Sequence, residues 1–218
     1  MLKLVKHPLA QRELTILRDK STGGIAFRKG LVRLGRYLGY EIIGDMGTKD
    51  KEVETPLRVA RGIEIPDLEH VVVINVLRAA IPLVEGLIKS FPSARVGIIS
   101  AYREGPPDFK IRVDYVRLPS IKKEDTVIIA DPMLATGHTM GRILEEVLNS
   151  SRPKRVIAAT VVCYELAVRS IQRKYPPINI YTVAMDPELD ENGYILPGLG
   201  DAGDRAFGEA TSGSSMAD

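Results

Sequence analysis

Residues 127–140 read VIIADPMLATGHTM: an apolar run, one acid, then small and hydroxyl-bearing residues that lead into helical spacing. A strand that passes through a Thr-Gly turn into a helix brings backbone N–H groups and a positive dipole end to one point, which suits an anion. Gly137 lets the backbone approach closely or take a positive φ, and Thr136 and Thr139 add hydroxyl donors. Neither the lysine of a GxxxxGK[ST] loop nor the three spaced glycines of a dinucleotide turn is present. The loop Pro132, Met133, Leu134, Ala135, Thr136, Gly137, His138 and Thr139 therefore reads as a cradle for a phosphate that stays put. Asp131, at the strand end, could accept hydrogen bonds from sugar hydroxyls, or could merely cap a turn. His138 is read as a loop residue offering its backbone, with a general base as the alternative.

Two further stretches carry candidate chemistry. Arg78 ends the run VVVINVLR, where a strand-end arginine is either an anion contact or an ordinary surface residue. PGLGDAGDRAFG, 197–208, packs glycines and acids into a turn-rich segment. Its acids lack the alternating D-x-D-x-D rhythm of a calcium loop, so a metal-loop reading is poor.

The elements that must position these residues follow from the hydrophobic pattern. Helical spacing covers 8–20 and 25–40, the second helix opening after hydroxyls at Ser21 and Thr22 that could cap it. Residues 53–57 read as an edge strand. From 71 onward, short runs that are apolar on both faces (71–76, 95–100, 126–130, 155–163, 178–185) alternate with helical stretches at 83–89, 139–149 and 165–174. That alternation specifies an α/β fold, doubly wound around a mainly parallel sheet flanked by helices. Residues 103–118 interrupt it as a flexible hood or hairpin. Residues 187–208 show no helical period, and 209–218 form a small, polar tail. One domain, 1–208, accounts for the rest.

Composition narrows the class. Thirty basic side chains against 28 acidic ones leave a formal charge of +2, too balanced for a general nucleic-acid or membrane-surface binder. No apolar segment approaches the ~20 residues of a membrane span. The lone Cys163 excludes an intramolecular disulfide and reads as a core thiol. His7, His70 and His138 have no metal-ligand spacing. A cytoplasmic location is expected. A basic cluster on the second helix, Arg28, Lys29, Arg33 and Arg36, is most simply a solvated face; a subunit interface, an effector-nucleotide site and an RNA-binding regulator are the readings that give it a partner.

Strand, acid, xxATGxT resembles the 5-phosphoribosyl 1-diphosphate (PRPP) loop of type I phosphoribosyltransferases. The wording DPMLATG, the segment VLRAAIPLVEG (76–86) and PGLGDAGDRAFG together resemble the uracil phosphoribosyltransferases, over about residues 7 to 208. The resemblance implies formation of UMP and pyrophosphate from uracil and PRPP, with Mg²⁺ held through PRPP and water rather than in a permanent protein site. It implies that 132–139 hold the 5-phosphate and Asp131 a ribose hydroxyl. Arg78 and Arg103 would meet the diphosphate, and Asp201 would contact PRPP directly or through Mg²⁺. Uracil would lie against Ile195, Gly200, Asp201 and Ala202. Arg78, Arg103, Asp131 and Asp201 are thus the expected catalytic set. The hood departs from the relatives' wording, which weakens Lys110, Arg112 and Arg117 as candidates. A homo-oligomer, dimer or tetramer, is implied, and possible GTP or CTP effectors would sit at Lys29, Arg33 and Arg36. A purine-using relative is the remaining rival within the fold, and PGLGDAGDR disfavours it.

Overall fold

Runs such as VVVINVL and TVIIA bury nearly every side chain they carry, which requires strands covered on both faces. The computed structural model describes residues 1–103 and 111–209, with Arg103 by its backbone alone. In chain order the elements are β1 Leu2–Leu4, α1 Pro8–Arg18, α2 Gly24–Gly44, β2 Lys49–Glu54, β3 Val59–Glu64, β4 Val71–Leu77, α3 Ile81–Ser90, β5 Arg95–Arg103, β6 Ile111–Arg117, β7 Thr126–Ala130, β8 Met133–Leu134, α4 His138–Ser150, β9 Arg155–Ala159, β10 Val162–Tyr164, α5 Glu165–Lys174, β11 Ile178–Thr182, β12 Ala184–Asp186, β13 Glu188–Leu189, β14 Ile195–Leu196 and α6 Ala202–Phe207.

The main sheet has seven strands in the order β1-β11-β9-β7-β4-β5-β6. All its pairs are parallel except β5 with β6, which is antiparallel. After β4 the chain moves to β5 on one side and then returns to β7 on the other. A ligand crevice belongs at that reversal, beyond the carboxyl ends of β4 and β7, where Arg78 and Asp131 follow their strands.

The long runs at 155–163 and 178–185 are not single strands. Each steps at a buried threonine into a second parallel sheet, ordered β12-β10-β8. Thr160 Oγ1 donates to the carbonyl of Pro132 or Val162, and Thr182 Oγ1 to that of Val161 or Ala184. The buried hydroxyls thus find backbone acceptors within the segment where the chain passes from one sheet to the other. β8, which follows Asp131, pairs with β10 in this second sheet, so the 132–139 loop is held by β10 rather than by the main sheet. Cys163 lies in this second sheet, where burial pushes its thiol up to about 11, as expected of an inert core cysteine.

Three other expectations change. The strand at 53–57 is a hairpin instead: β2 and β3 pair antiparallel in a two-stranded sheet of their own, turning at 55–58 where Thr55 Oγ1 bonds Arg58. The residue before α2 is Gly23, without a side-chain cap; Ser21 and Thr22 spend their hydroxyls on Asp19 and on the Ile16 carbonyl. Within 187–208 a short helix, α6, forms where the sequence shows no period. Its six residues are too few to display one, and Asp201 starts it by accepting from the Asp204 N–H at 2.8 Å. The hood's return arm is β6; residues 104–110, including Lys110, lie outside the described residues, as do 210–218 of the tail. No helix among the described residues is long and apolar enough to cross a membrane.

Candidate active site

A cavity of about 570 Å³ opens at the carboxyl ends of β4, β5 and β7. Its wall draws Arg78 from the end of β4, Asp131 from the end of β7, the 133–140 turn, and Ile195 with Gly200–Asp204 from the C-terminal segment. Side chains more than a hundred residues apart therefore share one space.

At the 133–140 turn, Gly137 is the N-cap of α4 with φ 82, a conformation costly for any residue with a Cβ. It closes the loop so that the N-terminal N–H groups of α4, which have no partner within the helix, face the turn. Met133, Leu134, Ala135, Thr136, Gly137 and Thr139 line the cavity; Pro132 and His138 do not. Pro132 is buried instead, its carbonyl accepting from Val161 and Val162 N–H at 3.0 Å, so it fixes the loop to β10.

Asp131 donates its N–H to the Ala159 carbonyl and accepts the Met133 N–H at 3.2 Å. Loss of solvation around its carboxyl outweighs that single donor and raises it to about 6. A carboxylate in this state is short of hydrogen bonds, which fits a group awaiting donors from a ligand. The turn-capping alternative is also realised, through Met133.

On the other wall, the Leu77–Arg78 peptide is cis. Arg78 Nη2 donates to Asp204 Oδ1 at 2.9 Å, and the pair is only half-buried. Arg103 ends β5, and its side chain lies outside the described residues. Arg112 pairs with Asp114 at 2.8 Å on the exposed face of β6, and neither it nor Arg117 lines the cavity.

The 195–205 segment is held by residues that sequence reasoning passed over. Buried Asp186 receives both Nη atoms of Arg18, at 2.9 and 2.7 Å, and the Gly198 N–H at 2.9 Å. Arg205 donates to the carbonyls of Leu17, Leu199 and Asp19 and lies over the Phe27 ring at 4.3 Å. Two guanidinium groups thus tie residues 198–205 to the end of α1. Leu196–Pro197 is cis and Gly198 and Gly200 have positive φ, so the backbone of this loop turns twice within five residues. Ile195 and Ala202 are buried, while Gly200 and Asp201 are open to the cavity. Lys29, Arg33 and Arg36 lie elsewhere, in a second cavity of about 550 Å³ with Arg28, Glu85, Lys89 and Phe207.

Comparison with known proteins gives one consistent result. The family model described as uracil phosphoribosyltransferase matches residues 4–209. Curated relatives named uracil phosphoribosyltransferase include that of Thermococcus gammatolerans, 55% identical over 92% of this chain and 90% of its own. That of Pyrococcus furiosus is 54% identical over 93% and 87%, and that of Pyrobaculum arsenaticum 50% over 94% and 98%. Among solved structures, the AQ2163 protein of Aquifex aeolicus superposes with a TM-score of 0.87 at 33% identity, over 95% of this chain and 98% of that one.

Proposed function

We propose, from the premise that this chain belongs to the uracil phosphoribosyltransferase family, a division of the reaction among its residues. The chain transfers the 5-phosphoribosyl group of PRPP to N1 of uracil, giving UMP and pyrophosphate. The C1–O bond to diphosphate breaks, the C1–N1 bond forms, and the N1 proton is released. The observation that carries the assignment is that one cavity joins a non-transferring phosphate loop, a hydrogen-bond-poor carboxylate, an arginine and a glycine-rich loop.

The 5-phosphate sits on 133–139 at the start of α4, where N–H groups and the helix dipole already point. Asp131 accepts from a ribose hydroxyl. Arg78, joined by Arg103, meets the diphosphate, whose charge grows as the C1–O bond opens; contacts that strengthen there accelerate the step. Uracil lies against Ile195, with backbone groups near Gly200 and Ala202 matching its two carbonyls and N3–H. Cytosine would put a donor where O4 accepts, and an unmatched buried donor is costly.

Three carboxylates, Asp131, Asp201 and Asp204, line the cavity against one arginine among the described residues that line it. So polyanionic a substrate fits that wall when a divalent cation accompanies it, bound mostly by substrate oxygens and water. Asp201, with Oδ1 engaged by the Asp204 N–H, would hold Mg²⁺ directly or through water. When bound, the ion would neutralise charge on the diphosphate.

The raised carboxyl gives a test. With Asp131 at about 6 in the substrate-free protein, kcat/KM for PRPP should fall about tenfold per pH unit on the acid side of that value, as the acceptor becomes a neutral acid. Asp131→Asn should be slow and lack that limb; an unchanged acid limb would remove Asp131 from the role. Stability runs the other way. A carboxyl raised above its unfolded value stabilises fully below about 4 and loses that contribution as pH rises through about 6.

The second cavity supports a nucleotide effector of the GTP or CTP kind at Lys29, Arg33 and Arg36, since four arginine or lysine side chains of α2 and Lys89 of α3 converge there. The β2–β3 hairpin supports a homo-oligomer: both its faces are exposed, with Leu57 94% exposed at the tip. Sedimentation of the parent and of Leu57→Asp, each with and without GTP and CTP, tests both. A monomeric parent, or nucleotide binding that survives Arg33→Glu/Arg36→Glu, would overturn them.

A further inference from the structure

Arg78 has a long side chain at a strand end, open to solvent, and a contact that works only if it is already in place when the diphosphate arrives. What places it is α6. Nη2 donates to Asp204 Oδ1 at 2.9 Å and reaches the Gly208 carbonyl at 3.5 Å. Nε and Nη1 have no protein partner among the described residues. One corner of the guanidinium is therefore tethered while the remaining N–H donors stay available.

The tether is rigid in a way that the ion pair alone would not be. An isolated helix of six residues would not persist in water. Here Asp201 caps its start, the Gly208 N–H returns to the Asp204 carbonyl at 2.8 Å, and Arg205 fixes it to Leu17, Asp19 and Leu199. Asp204 thus stands on a post whose other residues, Asp201 and Ala202, face the base side of the same cavity.

We infer that Asp204 is a positioning residue for Arg78, holding the guanidinium at the cavity mouth so that its free edge meets the diphosphate of PRPP. This rests on the assignment of Arg78 above. A half-exposed ion pair adds little to folding, so the role is separable from stability. Its value lies in orientation set before binding, where small misplacements cost large factors in rate.

The test is a double-mutant cycle with PRPP as the varied substrate at saturating uracil and Mg²⁺. Asp204→Asn should lower kcat/KM for PRPP about 10- to 100-fold with the Tm unmoved and the KM for uracil within about twofold. Asp204→Glu should recover part of the loss. In the Arg78→Ala background, Asp204→Asn should do nothing more. Two results overturn the inference while leaving Arg78 in its role: a large effect of Arg78→Ala with none from Asp204→Asn, or equal losses from Asp204→Asn with and without Arg78. No effect of Arg78→Ala itself would remove both.

Discussion

Arg78→Ala should lower kcat/KM for PRPP by about 10²- to 10³-fold, the usual consequence of removing a donor aimed at developing charge. Much of the loss should fall on kcat, because the diphosphate oxygens carry more charge in the transition state than in bound PRPP. The Tm should hardly move, since the side chain is half-exposed and its ion pair with Asp204 is of the weakly stabilising kind. Arg78→Lys should restore only part of the rate: an ammonium keeps the charge but cannot hold Asp204 and a diphosphate oxygen from a planar fork. Steady-state kinetics with PRPP varied, beside a thermal melt, check both halves. A folded Arg78→Ala protein that keeps kcat/KM within about threefold would move the diphosphate contact elsewhere.

The acid-limb prediction for Asp131 concerns the opposite side of the sugar. On the proposed assignment Asp131 would accept a hydrogen bond in ground state and transition state alike, whereas Arg78 would answer to charge that appears only as the bond breaks. Loss of the first should therefore weigh more on PRPP affinity, and loss of the second more on turnover. The two variants, compared at one pH, separate holding the ribose from assisting departure.

How far sequence reaches is seen in particular residues. The continuous apolar runs report burial on both faces, so the parallel sheet and its helices follow directly. A threonine inside such a run reads as one more β-branched residue, yet Thr160 and Thr182 are where strands change sheets; only the strand pairing reveals it. Asp131, Arg78 and the ATG turn are legible because strand ends and helix starts are local features. The anchoring of the base loop is not. Arg18 and Asp186 are 168 residues apart, and nothing near either announces the other. Arg205 stands inside a motif whose acids and glycines draw notice, while its work is to grip the carbonyls of Leu17 and Asp19 at the end of α1. Asp204 likewise looks like one of two equivalent acids in GDAGDR until Asp201 is found capping the helix and Asp204 facing Arg78.

That hidden anchoring makes Gly198→Ala the other change of large effect. Gly198 has φ 56, and a Cβ there would lie 2.0 Å from the Ile195 carbonyl oxygen and 2.8 Å from its carbon. Both are backbone atoms, so the loop must open between Ile195 and Gly200, the two residues that would bracket uracil. The same opening pulls the Gly198 N–H off Asp186 and so disturbs the seat of Arg18. The backbone conformation alone costs about 1–3 kcal/mol, and in a chain of this size each kcal/mol lowers the Tm by roughly 2–4 °C. The catalytic loss should exceed the stability loss: kcat/KM for uracil should fall about 100-fold or more, since a base held by backbone groups tolerates little displacement. PRPP binding, measured by calorimetry without uracil, should change much less than the uracil kinetics, because the phosphate loop and Asp131 follow β7 and β8, which lie in other sheets than β14 of the displaced segment. Equal losses for both substrates would mean that the C-terminal segment supports the whole cavity rather than the base alone. Unaltered uracil kinetics in a folded Gly198→Ala protein would instead show that the base is held somewhere other than the 195–202 loop.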